Sequence, residues 1–521
     1  MTQGSNVQNS QGVLGWIERT GNRLPDPVFI FIYLVIVLIV LSAIASASGY
    51  SALHPSQRDA SGAPVLIAAQ SLLAPENIRR LWVDMPQTFT GFHPLGYVLV
   101  VMLGAGVAER SGLFATAMHA AVQAAPLKLL TPMVALVSMM GNLAADAAYV
   151  VLIPLAGILY AAAGRHPIAG IAASFAGVSG AFSANLLPGQ LDALLFGITE
   201  AAAEMLVPGW DANIVGNWYF IAGMTVVFLP AIWYVTDRII EPRLGGWETG
   251  LDANDSSAPG PLDAMHRRAL LHAGVAALVV ALLWVLFLYG PGTPLLDRDA
   301  VGPGRLSPLF RSLVAGFFVL FLACGWAYGR VAGTVKTHRD IVRMMQEAMA
   351  ELAYYLVLAF AAAHFIAMFA WSNLGLILAV HGAEAIRASN LPVPLLLGLI
   401  VLLTAGVNLF VGSASAKWAL LAPVLVPMMM LLGVSPEATT AAYRVGDGAT
   451  NIVTPLMVYF PLILAFCQRW RADFGLGSLV ATMLPFSVAL LVVGVAFTVA
   501  WVAIGIPLGP AAPVHYVLPV H

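Results

Sequence analysis

Charged residues are scarce in this sequence of 521 residues. Asp, Glu, Lys and Arg make up 10% of it, against about 25% in soluble globular proteins. The net charge of −2 offers no basic surface to a nucleic acid, so we expect no such partner. The two cysteines, Cys324 and Cys467, both lie in apolar surroundings. Two such residues give neither a disulfide framework nor a metal-ligand pattern.

The motifs of several enzyme and pump classes are also missing. The eleven histidines include no His-x-x-x-His pair, and there is no Gly-x-Ser-x-Gly element or pair of carboxylates at catalytic spacing. A Gly-x-x-x-x-Gly-Lys-Ser/Thr loop is absent too, which argues against ATP-driven pumping. We therefore expect no enzyme activity, no metal and no cofactor, and a carrier or a channel remains.

Hydrophobic residues make up 60% of the chain, and its mean hydropathy is +0.86. Four of the uncharged runs are long enough to cross the apolar core of a bilayer, which is about 30 Å thick; they cover 28–47, 218–236, 269–290 and 312–329. The first run is too long for a signal-peptide core, so we interpret it as a retained helix. The composition predicts an all-α polytopic membrane protein embedded in a lipid bilayer.

Two short polar segments, 141–149 and 412–418, interrupt the hydrophobic runs and resemble each other. The residues that follow them keep one spacing. The matching pairs, each 269 residues apart, are Pro154 and Pro423, Pro167 and Pro436, and Gly177 and Gly446. A duplicated pair of interrupted segments predicts a secondary transporter with an internal inverted repeat and a binding site between the copies. The plainer alternative is that small residues only pack helices together.

The chain is predicted to be one integral membrane domain, 1–521, with a charged stretch on each side of one hydrophobic hairpin. The predicted parts are an extramembrane segment (49–93), a first repeat half (94–236), a charged loop (237–268) and a second repeat half (373–506). Because Lys and Arg concentrate in 237–268 and 330–343, the positive-inside rule places both in the cytoplasm.

Helix breaks are predicted near 108–112 and at 183–190. Lipid offers no hydrogen-bond partner, so a break persists only where protein or water satisfies the freed backbone groups. We interpret 141–149 and 412–418 as the tips of two re-entrant hairpins. A half-helix that starts at such a tip presents free N–H groups that favour an anion.

Ionisable groups within the hydrophobic stretches are costly, and they are therefore functional candidates. These groups are Asp146, Asp192, Lys417, Arg444 and Asp447. Arg444 and Asp447 share a helix face. They form either a self-neutralising pair or a substrate-binding arginine beside a titratable carboxylate. Asp192 has no cation near it in sequence, which makes it the better protonatable group unless it is only a water-exposed residue at the end of a loop.

Polar and aromatic residues near the breaks complete the candidate site. Trp418 could stack on an aromatic ligand, or it could be a packing residue; Tyr149 occupies the matching position in the first half. Several small polar residues could hydrogen-bond a substrate or coordinate Na⁺, or could simply join helices. They are Asn142, Asn185, Ser413, Ser415 and Asn451. For the coupling ion, H⁺ or Na⁺, the candidates are Asp192, Asp447, Asn142 and Asp146.

Several stretches resemble the AbgT family of bacterial transporters, named for p-aminobenzoyl-glutamate. The resemblance covers nearly the whole chain. It is carried by Trp16-Ile17-Glu18-Arg19, Gly164-Arg165-His166-Pro167, the stretch from Asn408 to Trp418, Ala441-Ala442-Tyr443-Arg444-Val445-Gly446-Asp447 and the stretch from Pro461 to Phe466.

The resemblance implies a multi-pass protein of the bacterial inner membrane. It would be a bowl-shaped homodimer with nine transmembrane helices and two re-entrant hairpins per subunit, and a basin open to the cytoplasm. The positions that carry function in the family are here Asp192, Trp418, Pro436, Arg444 and Asp447.

The function implied is secondary active transport of p-aminobenzoyl-glutamate-like aromatic acids and related antimetabolites such as p-aminobenzoate and sulfonamides. Uptake and proton-driven export by antiport are both attributed to the family. An arginine for the acidic group and a tryptophan for the ring suit that chemistry. The alternatives are a Na⁺-coupled importer of another organic anion and, less favoured, a channel.

Overall fold

A computed structural model of the chain describes residues 26–58, 63–123, 129–144, 147–247, 263–299, 305, 307–454, 457 and 459–519. Helices dominate this part. They are α1 (Pro27–Ala47), α2 (Pro75–Val83), α3 (Met85–Thr90), α4 (His93–Arg110), α5 (Leu113–Gln123), α6 (Leu130–Met140), α7 (Ala147–Ala162), α8 (Pro167–Phe175), α9 (Gln190–Ala203), α10 (Trp218–Val235), α11 (Glu241–Leu244), α12 (Ala264–Tyr289), α13 (Ser307–Ala332), α14 (His338–Glu351), α15 (Ala353–Trp371), α16 (Leu374–Ala388), α17 (Val393–Asn408), α18 (Ala414–Leu431), α19 (Pro436–Ala449), α20 (Phe460–Trp470) and α21 (Leu476–Ile504).

Seven helices of the described part are long and apolar enough to cross a membrane. They include α1, α12, α13, α15, α18, α21, and α10 together with its continuation to Leu244. An eighth span arises if α4 and α5, bent by 62°, are counted as one. The predicted class, a polytopic helical membrane protein, is confirmed. The count of nine spans and the homodimer stay predictions.

The break between α4 and α5 falls where the sequence predicts it. Gly112 has a φ of +91°, a left-handed backbone that residues with a Cβ rarely adopt. The Ser111 hydroxyl bonds back to the carbonyl of Ala108 at 2.9 Å. The carbonyl of Ser111 in turn accepts from Thr334, which lies just after α13. Protein groups therefore satisfy backbone atoms that the break frees, as the membrane environment requires.

Two segments differ from the sequence-based expectation. The segment predicted outside the membrane contains a two-stranded antiparallel sheet, β1 (Ser51–Arg58) and β2 (Pro64–Ala68), which the sequence pattern did not indicate. The predicted charged loop 237–268 begins as helix, because α10 continues through a π turn (Thr236–Ile240) into α11. Arg165 bonds to Asp237 at 2.6 Å and also to Glu241, so acidic residues in this turn are neutralised by a partner far away in sequence.

The second half repeats the elements of the first. α8 begins at Pro167 and α19 at Pro436, 269 residues apart, and α7 and α18 end at the same offset. Each pair is followed by an irregular stretch and another short helix, α9 or α20. These short helices cross over: α9 packs against α18 and α19, whereas α20 packs against α8. This exchange is the contact pattern expected of two copies related by a pseudo-two-fold axis.

The two central helices, α8 and α19, are buried along their whole length. Gly446 in α19 lies against α17, and a Cβ there would clash with the backbone of Val401 and the hydroxyl of Thr404. Gly177, its counterpart in the π turn after α8, lies similarly close to Ser138 of α6. Conserving the offset of these glycines thus preserves a close helix approach in both halves.

Candidate functional site

Irregular backbone replaces helix at 181–189, between the π turn after α8 and the start of α9. Asp192, in the first turn of α9, closes this break by accepting from the backbone N–H of Gly189 at 2.7 Å. An acidic residue there also complements the positive end of the helix dipole. Local sequence therefore fixes one oxygen of the Asp192 carboxylate and leaves the other free for a tertiary contact.

That second oxygen binds Arg444. Nη1 of Arg444 lies 2.6 Å from Oδ1 of Asp192, and their side chains are 1% and 5% exposed. The prediction that Asp192 lacks a cation is wrong, because the cation comes from a residue 252 positions away. The alternative in which Arg444 and Asp447 neutralise each other is also wrong, since each pairs with a different residue.

Asp447 belongs to a separate buried network. Its Oδ1 lies 2.5 Å from Nζ of Lys417, and both side chains are almost fully buried. Lys417 also donates to Oδ1 of Asn408, whose amide group in turn donates to the carbonyl oxygen of Asp447 at 2.6 Å. The hydroxyl of Tyr443 lies 3.1 Å from Oδ1 of Asp447. Intramembrane charge alone marked Lys417 in the sequence, and nothing there indicated that it would hold Asp447.

A cavity of about 240 Å³ opens beside the Arg444–Asp192 pair. Its wall combines the break at 181–189 with the first polar segment and with α4, α9 and α15. Three buried polar atoms of residues on its wall have no hydrogen-bond partner: Oδ1 of Asn142, Oγ of Ser183 and Nε of Arg444. Buried polar groups are normally satisfied, so these atoms are available to a ligand.

Apolar and aromatic side chains form most of the remaining wall. They include Tyr149, Phe182, Leu187 and Tyr355. Tyr149 stacks on Tyr459 with ring centroids 4.3 Å apart, so its position in the wall is fixed by a residue from the second half. Such a wall with a few convergent polar groups is typical of small-molecule sites.

The predicted residues distribute unequally around this cavity. Asp192, Arg444, Asn142 and Asn185 line it. Both asparagines donate to the carbonyl of Met139, Asn142 at 3.1 Å and Asn185 at 3.5 Å, and they thereby tie the break to the end of α6.

The other predicted residues lie elsewhere. Trp418 is fully buried, stacks on Tyr443 at 4.4 Å and donates to Thr199 at 2.9 Å, so its ring does not face the cavity. Asn451 bonds to Asn408 behind the cavity.

Ser413 caps the start of α18 by accepting from Ala416 at 3.3 Å, and Pro436 is the first residue of α19. Asp146 lies outside the described residues. Within the described part, no group of three or more His, Cys, Asp or Glu could hold a metal ion.

Comparison with known proteins agrees with this architecture. The model of the AbgT putative transporter family matches residues 12–516. The p-aminobenzoyl-glutamate transport protein of Escherichia coli K12 is 36% identical over 514 residues, which cover 98% of this chain and 99% of that protein.

Two solved structures are also similar. The YdaH transporter of Alcanivorax borkumensis, described as having an unusual topology, has a TM-score of 0.85 and 41% identity over 93% of this chain and 100% of that one. MtrF of Neisseria gonorrhoeae, described with a class of antimetabolite efflux pumps, has a TM-score of 0.89 and 38% identity over 96% of this chain and 100% of that one.

These relatives are transporters, and the chain, like them, is a transporter and not an enzyme. Its many apolar spans and its bacterial relative fit the predicted location in an inner membrane. With a family model matching nearly its full length, this protein belongs to the AbgT transporter family.

Proposed function

We propose that this protein is a secondary active transporter of aromatic acids, among them p-aminobenzoate, p-aminobenzoyl-glutamate and sulfonamide antimetabolites. The observation that carries the proposal is the cavity at the helix break, where a buried arginine with a free Nε faces an apolar and aromatic wall. The descriptions of the E. coli and N. gonorrhoeae relatives name the same ligand classes. Alternating access would expose this cavity to one side of the membrane at a time.

Arg444 gives the site its preference for an acidic group. A guanidinium can bind a carboxylate through two parallel hydrogen bonds, but Asp192 occupies Nη1 here. The substrate carboxylate and Asp192 therefore compete for Arg444. Substrate binding would loosen the contact between α9 and α19, which links occupancy of the cavity to movement of these helices.

The size of the cavity limits what fits it in this conformation. Its volume of about 240 Å³ is just under the range of about 300–1,000 Å³ of pockets for drug-sized ligands. We expect a single-ring acid such as p-aminobenzoate to fit without rearrangement. The larger p-aminobenzoyl-glutamate would require the cavity to widen.

The coupling ion in this proposal is H⁺. The ammonium of Lys417 already contacts the side-chain oxygens of both Asp447 and Asn408, which are the groups a Na⁺ ion would need at that position. The competing possibility, a Na⁺-coupled importer of another organic anion, draws support from the free oxygen of Asn142 in the cavity.

Flux into proteoliposomes tests the proposal. Purified protein should accumulate labelled p-aminobenzoate, p-aminobenzoyl-glutamate or a sulfonamide in response to a pH gradient, should saturate, and should exchange labelled for unlabelled substrate. Accumulation driven by a Na⁺ gradient alone would favour the alternative. Flux that does not saturate would indicate a channel.

Two variants test the role of the arginine. Arg444→Lys keeps a cation beside Asp192 but loses the planar fork, so we expect KM to rise by about tenfold or more, the value of one charge-assisted bond. Asp192→Asn weakens the competitor, so we expect substrate to bind more tightly. Arg80→Lys, in an exposed pair with Glu76, is the control and should not change KM. Unchanged KM in Arg444→Lys would remove Arg444 from the site.

A further inference from the structure

A second cavity, of about 350 Å³, lies at the start of α19. The loop after α9, the start of α13 and the C-terminal segment also bound it; we refer to it as the outer chamber. Its wall includes Asp211, Arg311, Ser435, Glu437 and Tyr516. Because α13 runs from this chamber to a basic stretch placed in the cytoplasm, the chamber faces the other side of the membrane.

Glu437 forms part of the inner wall of the outer chamber. It is the second residue of α19 and is 8% exposed. Its side chain packs against Gly216, where an added Cβ would lie 2.9 Å from Cγ of Glu437. The carboxyl is hydrogen-bonded by the hydroxyl of Ser435 and by its own backbone N–H. Arg311, the cation of the chamber, is paired with Asp211.

Glu437 differs from the other buried carboxylates of the described residues, Asp192, Glu200 and Asp447. Two of these hold a cation, and Glu200 accepts from the hydroxyl of Tyr97 at 3.2 Å. No Lys, Arg or His of the described part forms an ion pair with Glu437. An ionised carboxylate without a partner is costly to bury, and such a group is neutralised instead by taking up a proton.

A polar seam joins Glu437 to the substrate cavity. Glu437 and Arg444 are two helical turns apart on α19, about 10 Å. Between them Thr440 bonds to Thr199 of α9 at 2.8 Å. At the outer end, Asn217 donates to the backbone carbonyl of Glu437 at 2.9 Å, and its own side-chain oxygen is buried without a partner. Any tilt of α19 against α9 therefore changes both sites together.

We propose that Glu437 is the carboxyl that carries the coupling proton and exchanges it with external water through the outer chamber. The carboxylate takes one proton from that water and becomes neutral. It releases the proton after α19 has moved to expose it to the opposite side. The charged and titratable groups around it are Asp211, Arg311 and Tyr516 across the chamber and Glu200 on α9. This inference rests on the proposed function, a proton-coupled carrier.

Glu437→Gln in proteoliposomes tests the inference, with labelled p-aminobenzoate as the probe. We expect accumulation driven by a pH gradient to fall at least tenfold, to the level seen without a gradient. Exchange of labelled for unlabelled p-aminobenzoate should stay within about twofold of the wild type, because exchange needs no net proton movement. A pH-sensitive dye trapped inside the vesicles should report substrate-induced proton movement in the wild type and none in the variant.

Glu76→Gln is the matched control. Pro75 and Glu76 begin α2 as Pro436 and Glu437 begin α19, but the side chain of Glu76 is 64% exposed. The control should behave as the wild type in all three measurements.

Glu437→Asp keeps a carboxyl and should retain gradient-driven accumulation, which covers the case in which the glutamine variant does not fold. Accumulation that survives in a folded Glu437→Gln variant would overturn the inference. Loss of exchange together with accumulation in that folded variant would overturn it too, because Glu437 would then act in substrate movement. Loss of accumulation in Glu437→Asp, with exchange intact, would also count against it. Wild-type protein that moves no aromatic acid would contradict the proposed function instead.

Discussion

Lys417→Met is expected to destabilise the protein strongly. Nζ of Lys417 lies 2.5 Å from Oδ1 of Asp447, and the two side chains are 1% and 2% exposed. Removing one partner of a buried ion pair leaves an uncompensated charge, which costs about 3–5 kcal/mol. The oxygen of Asn408 also loses its ammonium donor, and an unsatisfied buried acceptor costs a further 1–3 kcal/mol or about that. Together these terms predict a loss of at least about 3 kcal/mol.

The measurement is the free energy of unfolding by denaturant in detergent micelles, for Lys417→Met, Asp447→Asn and the double variant. Because the double variant removes both charges, its cost should be smaller than the sum of the single costs by about 1–3 kcal/mol. Arg80→Met breaks the exposed pair with Glu76 and should cost less than about 1 kcal/mol. If Lys417→Met were as mild as Arg80→Met, or if the single costs simply added, the ion pair described here would not exist.

Three further outcomes are expected. Gly446→Ala should destabilise by about 1–3 kcal/mol or more, because its Cβ would meet backbone of α17; Gly477→Ala, in open space, is the control, and equal stability of the two variants would contradict the close approach. Trp418→Ala should cost about 3–5 kcal/mol as a core truncation and should weaken aromatic and aliphatic acids equally; selective loss of aromatic ligands in flux assays would restore the predicted stacking role. Backbone N–H groups lower the pKa of Asp340 at the start of α14 below its ordinary 3.8, so its stabilising effect relative to Asp340→Asn should be full above about that pH. The effect should disappear as the pH falls through the lower folded-state pKa, and a difference between the melting curves that persists below pH 3 or so would contradict this cap.

The polytopic helical class and the helix breaks at 108–112 and 183–190 were predictable from sequence. Long uncharged runs are sufficient to identify membrane helices, and glycine and small polar residues mark where such helices stop. The offset of 269 residues likewise predicted the two matching sets of elements, α7 with α8 and α18 with α19. The β1–β2 hairpin was missed because its strands are short and carry polar residues and prolines.

The candidate site was only partly predictable. Asp192 and Arg444 were singled out because charge is rare within hydrophobic segments, and both line the cavity. The expected ligand contact of Trp418 is not present in this conformation, because Thr199 and Tyr443 cover the indole ring. Residues of ordinary type, such as Ser183, gave no signal in the sequence. Their importance comes only from being buried without a partner.

The sequence by itself determined that this chain inserts into a membrane, where its helices break and which charges must be functional candidates. Each of these follows from the local cost of placing polar groups in lipid. Only the tertiary structure decided how the charges are neutralised. It paired Arg444 with Asp192 across 252 residues, gave Lys417 to Asp447 and left Glu437 without a cation. Ion pairing depends on distance in space, and helix packing brings together residues that the linear order keeps apart.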